Sequence, residues 1–242
     1  MGKVILVSSG KGGTGKTMFT VNLGVVLAQR GKRVMLMDLD MGLRNMDIYL
    51  GMENKVVYNI MDVLSGICRI KKAMIKVDGF DTLYFMAASP RRDDRDITPL
   101  HMDILCSKLR KYFDYIIIDC PAGIGDMLDV AMAPADRVVL VTEPEAASLR
   151  DADVTERYLN EKGKRDSVFV INKVKVELMK AGLVPDLMTI MNMFKNPIIG
   201  IIQADDNIHI STNKGIPIVC KAGTYIERNF QEIADKAVDF GE

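Results

Sequence analysis

A strand that runs straight into a glycine-rich loop and on into a helix constrains this chain more than any other feature. VILVSS (4–9) is a short, apolar, β-branched run of the kind that fills a buried strand. SSGKGGTGKT (8–17) follows at once, and TMFTVNLGVVLAQRG (17–31) continues as a helical pattern closed by Gly31. Within the loop, Gly10-x-x-x-x-Gly15-Lys16-Thr17 has the spacing of a phosphate-binding loop. Glycines let successive backbone N–H groups converge on an anion without Cβ clashes, and the helix start adds its dipole. The nucleotide contacts then fall on Gly10, Lys11, Gly12, Gly13, Thr14, Gly15, Lys16, Thr17 and Met18. Lys16 is expected at the β- and γ-phosphates of ATP, and the Thr17 hydroxyl on Mg2+.

The rest of the chain suits such a loop. RVMLMDLD (33–40), DTLYFMAAS (81–89), YIIID (115–119), RVVLVT (137–142), SVFVIN (167–172) and PIIGII (197–202) read as further strands. Helical patterns separate them, among them ITPLHMDILCSKLRKYF (97–113). Strands this apolar on both faces predict an α/β fold: a doubly wound, mostly parallel sheet with helices on both faces, the P-loop NTPase architecture. No internal repeat or linker divides the chain, so residues 1–242 are expected to form one domain. RRDDRD (91–96) reads as a solvated loop, and the 17 methionines read as core filling.

Composition excludes several functions. Lysine plus arginine (32) equals aspartate plus glutamate (32), which gives no support for a nucleic-acid partner. Cysteines at 68, 106, 120 and 220 have neither zinc nor redox spacing and read as reduced thiols of a cytoplasmic protein. No apolar run approaches membrane-spanning length, and the apolar start runs into the loop rather than into a leader cleavage site. His101 and His209 have no acid or nucleophile at a telling spacing.

Two strand ends carry acids. MDLD places Asp38 and Asp40 after the second strand, and YIIIDCPAGIG closes a strand with Asp119. Beside a phosphate loop, Asp119 is expected to hold Mg2+ through water. Asp38 reads either as a hydrogen-bonding turn residue or as a further metal contributor. Pro121, Gly123 and Gly125 make the following segment a candidate hinge that senses the γ-phosphate.

Lys11 is surplus to the standard loop. KGGTGKT (11–17) resembles the deviant Walker A ATPases, whose motif stands here in full. The resemblance implies that Lys11 reaches the nucleotide of a second subunit, so that ATP holds a homodimer together. It also implies that Asp40 orients the attacking water, so Lys11, Lys16 and Asp40 form the catalytic set. Asn172 would read the adenine edge, with the segment 200–219 as the next base-contacting region. Gln203 stands there in place of the family's usual proline.

DLDMGLRNMDIYLGMENKVVYNIMDVL (38–64) and TEPEAASLRDAD (142–153) resemble the branch of that family that positions the bacterial division septum. The likeness implies recruitment of a MinC-like division inhibitor and stimulation by a MinE-like activator on the inner membrane surface. Arg150, Asp151 and Asp153 match that branch's partner-binding surface, although by themselves they read as a solvated helix start. One departure concerns the membrane. YIERNFQEIADKAVDFGE (225–242) has an apolar stripe of Ile226, Phe230, Ile233, Ala237 and Phe240, but its acids outnumber its bases. Anionic lipid repels such a face, so this helix is expected to pack on the sheet rather than serve as the basic amphipathic anchor of that branch. A removed tail, weak membrane binding and anchoring by a partner all remain open. The alternatives are a DNA-segregating or flagellum-positioning relative, a metabolic synthetase or iron–sulfur ATPase on the same fold, and a passive ATP-binding module.

Overall fold

A computed structural model describes residues 1–91 and 97–241. Most of the solvated loop expected at 91–96 therefore lies outside the described residues, as does Glu242. The strands are β1 (Lys3–Ser8), β2 (Val34–Asp38), β3 (Ile75–Lys76), β4 (Leu83–Met86), β5 (Tyr115–Asp119), β6 (Arg137–Thr142), β7 (Ser167–Val174) and β8 (Ile198–Gln203). They form one sheet in the order β3-β4-β2-β5-β1-β6-β7-β8. Every pairing is parallel except the short antiparallel edge β3–β4. The order reverses at β1, and the cleft at that switch point is where an open α/β sheet takes its ligand.

The sheet is apolar on both faces because its strands alternate between two cores. Val4 and Leu6 of β1 join Met35, Met37, Ile116, Ile118, Val138 and Leu140 on one face. Ile5 and Val7 join Leu36, Ile117, Val139 and Val141 on the other. The first face is covered by α5 (Pro99–Leu109), α6 (Asp126–Met132) and α7 (Ala146–Glu161), flanked by α3 (Ile60–Leu64), α4 (Ile70–Ala73) and the edge helix α9 (Leu187–Met193). The second is covered by α1 (Lys16–Gln29), α2 (Met46–Tyr49) and α11 (Tyr225–Ala237). Two short helices, α8 (Val176–Lys180) and α10 (Asp206–Asn213), complete the set. Many methionines lie in these cores, among them Met35, Met37, Met86 and Met102, each fully buried.

The C-terminal helix packs as its pattern predicts. Thr224 caps α11 by accepting from Glu227 N at 3.1 Å, and Ile226, Phe230, Ile233, Ala234 and Ala237 are buried. Phe230 meets Phe19 of α1 with ring centroids 5.9 Å apart. Arg137 donates to the carbonyls of Lys236 and Ala237, satisfying the helix's last acceptors.

Two boundaries differ from the sequence reading in ways that matter. β7 does not end at Asn172 but continues to Val174, with a register break between Ile171 and Val174 against β8. The helix expected over 97–113 is shorter, Pro99–Leu109, because Thr98 caps it and a turn begins at Arg110. All four cysteines are free.

Candidate active site

The loop is shaped by what packs on it. Gly15 has φ +93° and precedes the first residue of α1; a Cβ there would lie 2.3 Å from Asn172 Nδ2. Gly10 is needed for another reason: its Cβ would come within 2.3 Å of the Asp151 backbone in α7. Gly12 has open space around it, which leaves the outer side of the loop free.

The far side of the sheet braces the loop. Asn172, 2% exposed, donates from Nδ2 to Thr14 O at 2.7 Å. Lys173 adopts φ +55°, a costly conformation for a non-glycine residue, and donates from Nζ to Gly13 O at 2.7 Å. Its ammonium also pairs with Glu143 at 2.8 Å. Asn172 is thus not a bare strand-end residue; half of its amide is committed to the loop backbone. Sequence reading assigned Lys173 and Glu143 nothing, and no local pattern marks either one.

Two acids meet where β2 and β5 end. The sheet register sets Asp38 directly opposite Asp119. Asp38 accepts from Asp40 N at 2.9 Å and from Met46 N at 3.4 Å. Burial, and then the Asp119 charge, push its carboxyl well up, to about 8. Asp119 accepts from Thr17 Oγ1 at 2.5 Å, which ties the end of β5 to the first turn of α1. Burial raises its carboxyl to about 6, and the Thr17 bond and the nearby Lys16 charge only partly oppose that shift. Asp119 Oδ1 is buried without a hydrogen-bond partner. Gly123, beyond Asp119, donates its N–H to Ser9 O at 2.8 Å and has φ +91°. The glycine-containing segment after β5 is therefore fastened to the start of the loop.

The donor set fits Mg2+ in a nucleotide complex. An orphaned carboxylate oxygen beside a threonine hydroxyl is what a hydrated divalent cation requires. Among the described residues, no three acidic, histidine or cysteine side chains converge as a ready-made metal site. A cation here would therefore rely on phosphate oxygens as well as Asp119 and Thr17. Asp38 is engaged with the backbone of its own turn.

The remaining predicted residues surround these acids at different depths. Lys16 is buried, whereas the Lys11 side chain is 46% exposed. The Lys11 ammonium stands 3.5 Å from Glu145 Oε2, and that carboxylate is itself half exposed. Asp40 is half-buried in the turn after β2. On α7, Arg150 is exposed, Asp153 pairs with Arg157, and the Asp151 backbone abuts Gly10. Ser148 is buried in a bond with Thr142 and serves the helix start.

Comparison with known proteins fits this geometry. Residues 2–161 match a family described as an AAA domain. The septum site-determining protein MinD of Synechocystis is 41% identical over 219 residues, which is 90% of this chain and 82% of that protein. The chain belongs to the MinD family. Solved structures agree: MinD in the Aquifex aeolicus MinC:MinD complex superposes with a TM-score of 0.87 at 35% identity, covering 97% of this chain and 95% of that one. The MinD of Pyrococcus horikoshii complexed with Mg-ADP gives 0.86 at 26% identity, covering 98% and 96%. The MinD likeness thus spans the loop, both acidic strand ends and α7. Among the described residues, no helix is long and apolar enough to cross a membrane.

Proposed function

We propose that this chain is an ATP-hydrolysing dimer switch that positions the division septum. The observation that carries the reading is the split between its two loop lysines. Lys16 is buried against its own pocket, whereas Lys11 extends from it and, among the described residues, pairs with Glu145 alone, in a solvent-screened contact. A screened surface pair contributes about 1 kcal/mol at most, so Lys11 is cheaply released to a facing subunit. There it would neutralise γ-phosphate oxygens that the partner's own loop leaves exposed. Loss of the γ-phosphate removes that attraction, and the dimer weakens.

Within one subunit, the loop amides and Lys16 hold the phosphates. Thr17 and Asp119 hold Mg2+, which would neutralise charge between the β- and γ-phosphates. Asp40 orients the attacking water, a task of positioning rather than strong basicity. Asn172 Oδ1, which accepts no hydrogen bond among the described residues, supports a contact with adenine, while its amide nitrogen keeps the loop in register. The relatives' MinC complex supports a MinC-like inhibitor as partner, with Arg150, Asp151 and Asp153 on the docking helix. Slow turnover alone, stimulation by a MinE-like activator and recruitment to a membrane surface complete the proposal.

The test is the mass in solution by light scattering, with ATP and with ADP, in the Asp40→Ala background that arrests hydrolysis. A dimer with ATP only, lost in Lys11→Ala, is expected. A monomer in every state, with ATP still bound, would refute the switch.

A further inference from the structure

A sizeable cavity lies away from the nucleotide site. It is a trough of about 850 Å³ between α3–α4 on one side and α5 on the other. It ends at Arg33, directly before β2, and Phe113, two residues before β5, whereas the phosphate loop and Asp119 lie at the opposite strand ends. A five-residue strand separates those ends by roughly 16 Å. None of the trough's lining residues belongs to the active site described above.

Its composition is one-sided. The floor and walls are apolar: Val63, Leu64, Ile70, Met74, Ile104 and Leu105. Ile104 remains 46% exposed and Tyr112 60% exposed, so the helices leave apolar surface unburied here. The rim carries Arg33, Arg69, Lys71, Lys108 and Lys111, and among the described residues no acid lines the trough. Among the described residues, none of these five cations lies within ion-pair distance of a carboxylate. A chain of zero net charge has gathered cations around this apolar trough.

We infer that this trough is a docking site for an acidic amphipathic helix of a partner protein. The arrangement of charge selects that occupant. The cations lie on both walls: Arg69 and Lys71 beside α4, Lys108 and Lys111 at the end of α5. A single-chain amphiphile has one anionic head and calls for cations gathered at one end. A helix lying lengthwise with an apolar stripe and acids on both flanks satisfies both walls together. His101, Ile104, Leu105, Lys108 and Leu109 present one continuous face of α5 to the trough. That face extends about 12 Å, the rise of two helical turns, and so offers room for anchors at i, i+3 or i+4, and i+7. The chain's own acidic amphipathic helix, α11, is not the occupant, because its apolar face is already buried on the opposite side of the sheet.

Cys68 lines the trough and is half-buried, whereas Cys220 is exposed on another surface. The two thiols give a local readout in the intact protein. The probe is a synthetic helical peptide of about 14 residues, with leucines at i, i+3, i+4 and i+7 and glutamates on both flanks. A scrambled peptide of the same composition is the control. Alkylation of each cysteine is followed by mass spectrometry. The peptide is expected to slow modification of Cys68 but not of Cys220, and the scrambled peptide to slow neither. Anisotropy of the labelled peptide should show about tenfold weaker binding to Lys71→Glu/Lys108→Glu, the loss expected when two rim contacts reverse sign. Equal modification of Cys68 with and without peptide would overturn the proposal. So would protection by phosphatidylglycerol vesicles but not by the peptide, which would make the trough a lipid-binding surface.

Discussion

Replacing Gly15 with alanine tests whether the loop is held from behind by Asn172. Gly15 sits at φ +93°, where a side chain costs about 1–2 kcal/mol. Its new Cβ would lie 2.3 Å from Asn172 Nδ2, so that amide must move and give up its 2.7 Å bond to Thr14 O, a loss of about 0.5–1.5 kcal/mol. Together Gly15→Ala should cost roughly 2–3 kcal/mol. Asn172→Ala forfeits the same hydrogen bond directly. The double variant can lose that bond only once, and the clash is gone. Its destabilisation should therefore fall short of the sum of the singles by about 1 kcal/mol, beyond the roughly 0.3–0.5 kcal/mol scatter of independent sites. Urea unfolding of the nucleotide-free protein measures all three. Additivity within that scatter would refute the claim that Asn172 is what the loop glycine accommodates.

Three further outcomes follow from the same geometry. Thr17→Ala leaves both oxygens of buried Asp119 without a partner among the described residues and removes the hydroxyl proposed to reach Mg2+; nucleotide affinity should lose its Mg2+ dependence, and Thr17→Ser should restore it, as read by fluorescent-nucleotide titration with and without the metal. The raised Asp38 carboxyl stabilises the fold fully below its ordinary value of 3.8 and loses that contribution as pH rises towards about 8. The nucleotide-free protein should thus weaken between those limits, and Asp38→Asn should flatten the slope and be the more stable of the two at pH 8 in thermal melts. Phe230→Ala empties a fully buried site against Phe19 and should cost about 3–5 kcal/mol in denaturant unfolding.

Much of this molecule was legible because its decisive features are local. The β1–loop–α1 unit follows from one contiguous stretch, since the apolar strand, the glycine and lysine spacing and the helix start are all read from adjoining residues. YIIID and RVVLVT match β5 and β6 residue for residue, because each is a closed apolar run with polar punctuation at both ends. The two-residue edge strand β3 was invisible: Ile75–Lys76 has no pattern of its own and exists only because β4 offers it an edge. The site divides in the same way. Thr17 and Asp119 announced themselves by their places in motifs. Lys173 did not, because its role depends on a left-handed turn inside β7 that brings its ammonium to Gly13, 160 positions away in the chain. Nor did the close approach of the α7 backbone to Gly10, which no spacing in the loop reveals. Motif positions are readable because the ligand dictates them through chemistry common to all such loops. The residues that hold a motif in shape answer to the packing of one particular chain, and long-range pairs such as Asn172 with Thr14 leave no spacing to find. The same distinction explains why Lys11 stood out while Glu145, its present partner, did not. An unused charge inside a motif is conspicuous, but the surface acid that meets it is known only once the strand ends are brought together.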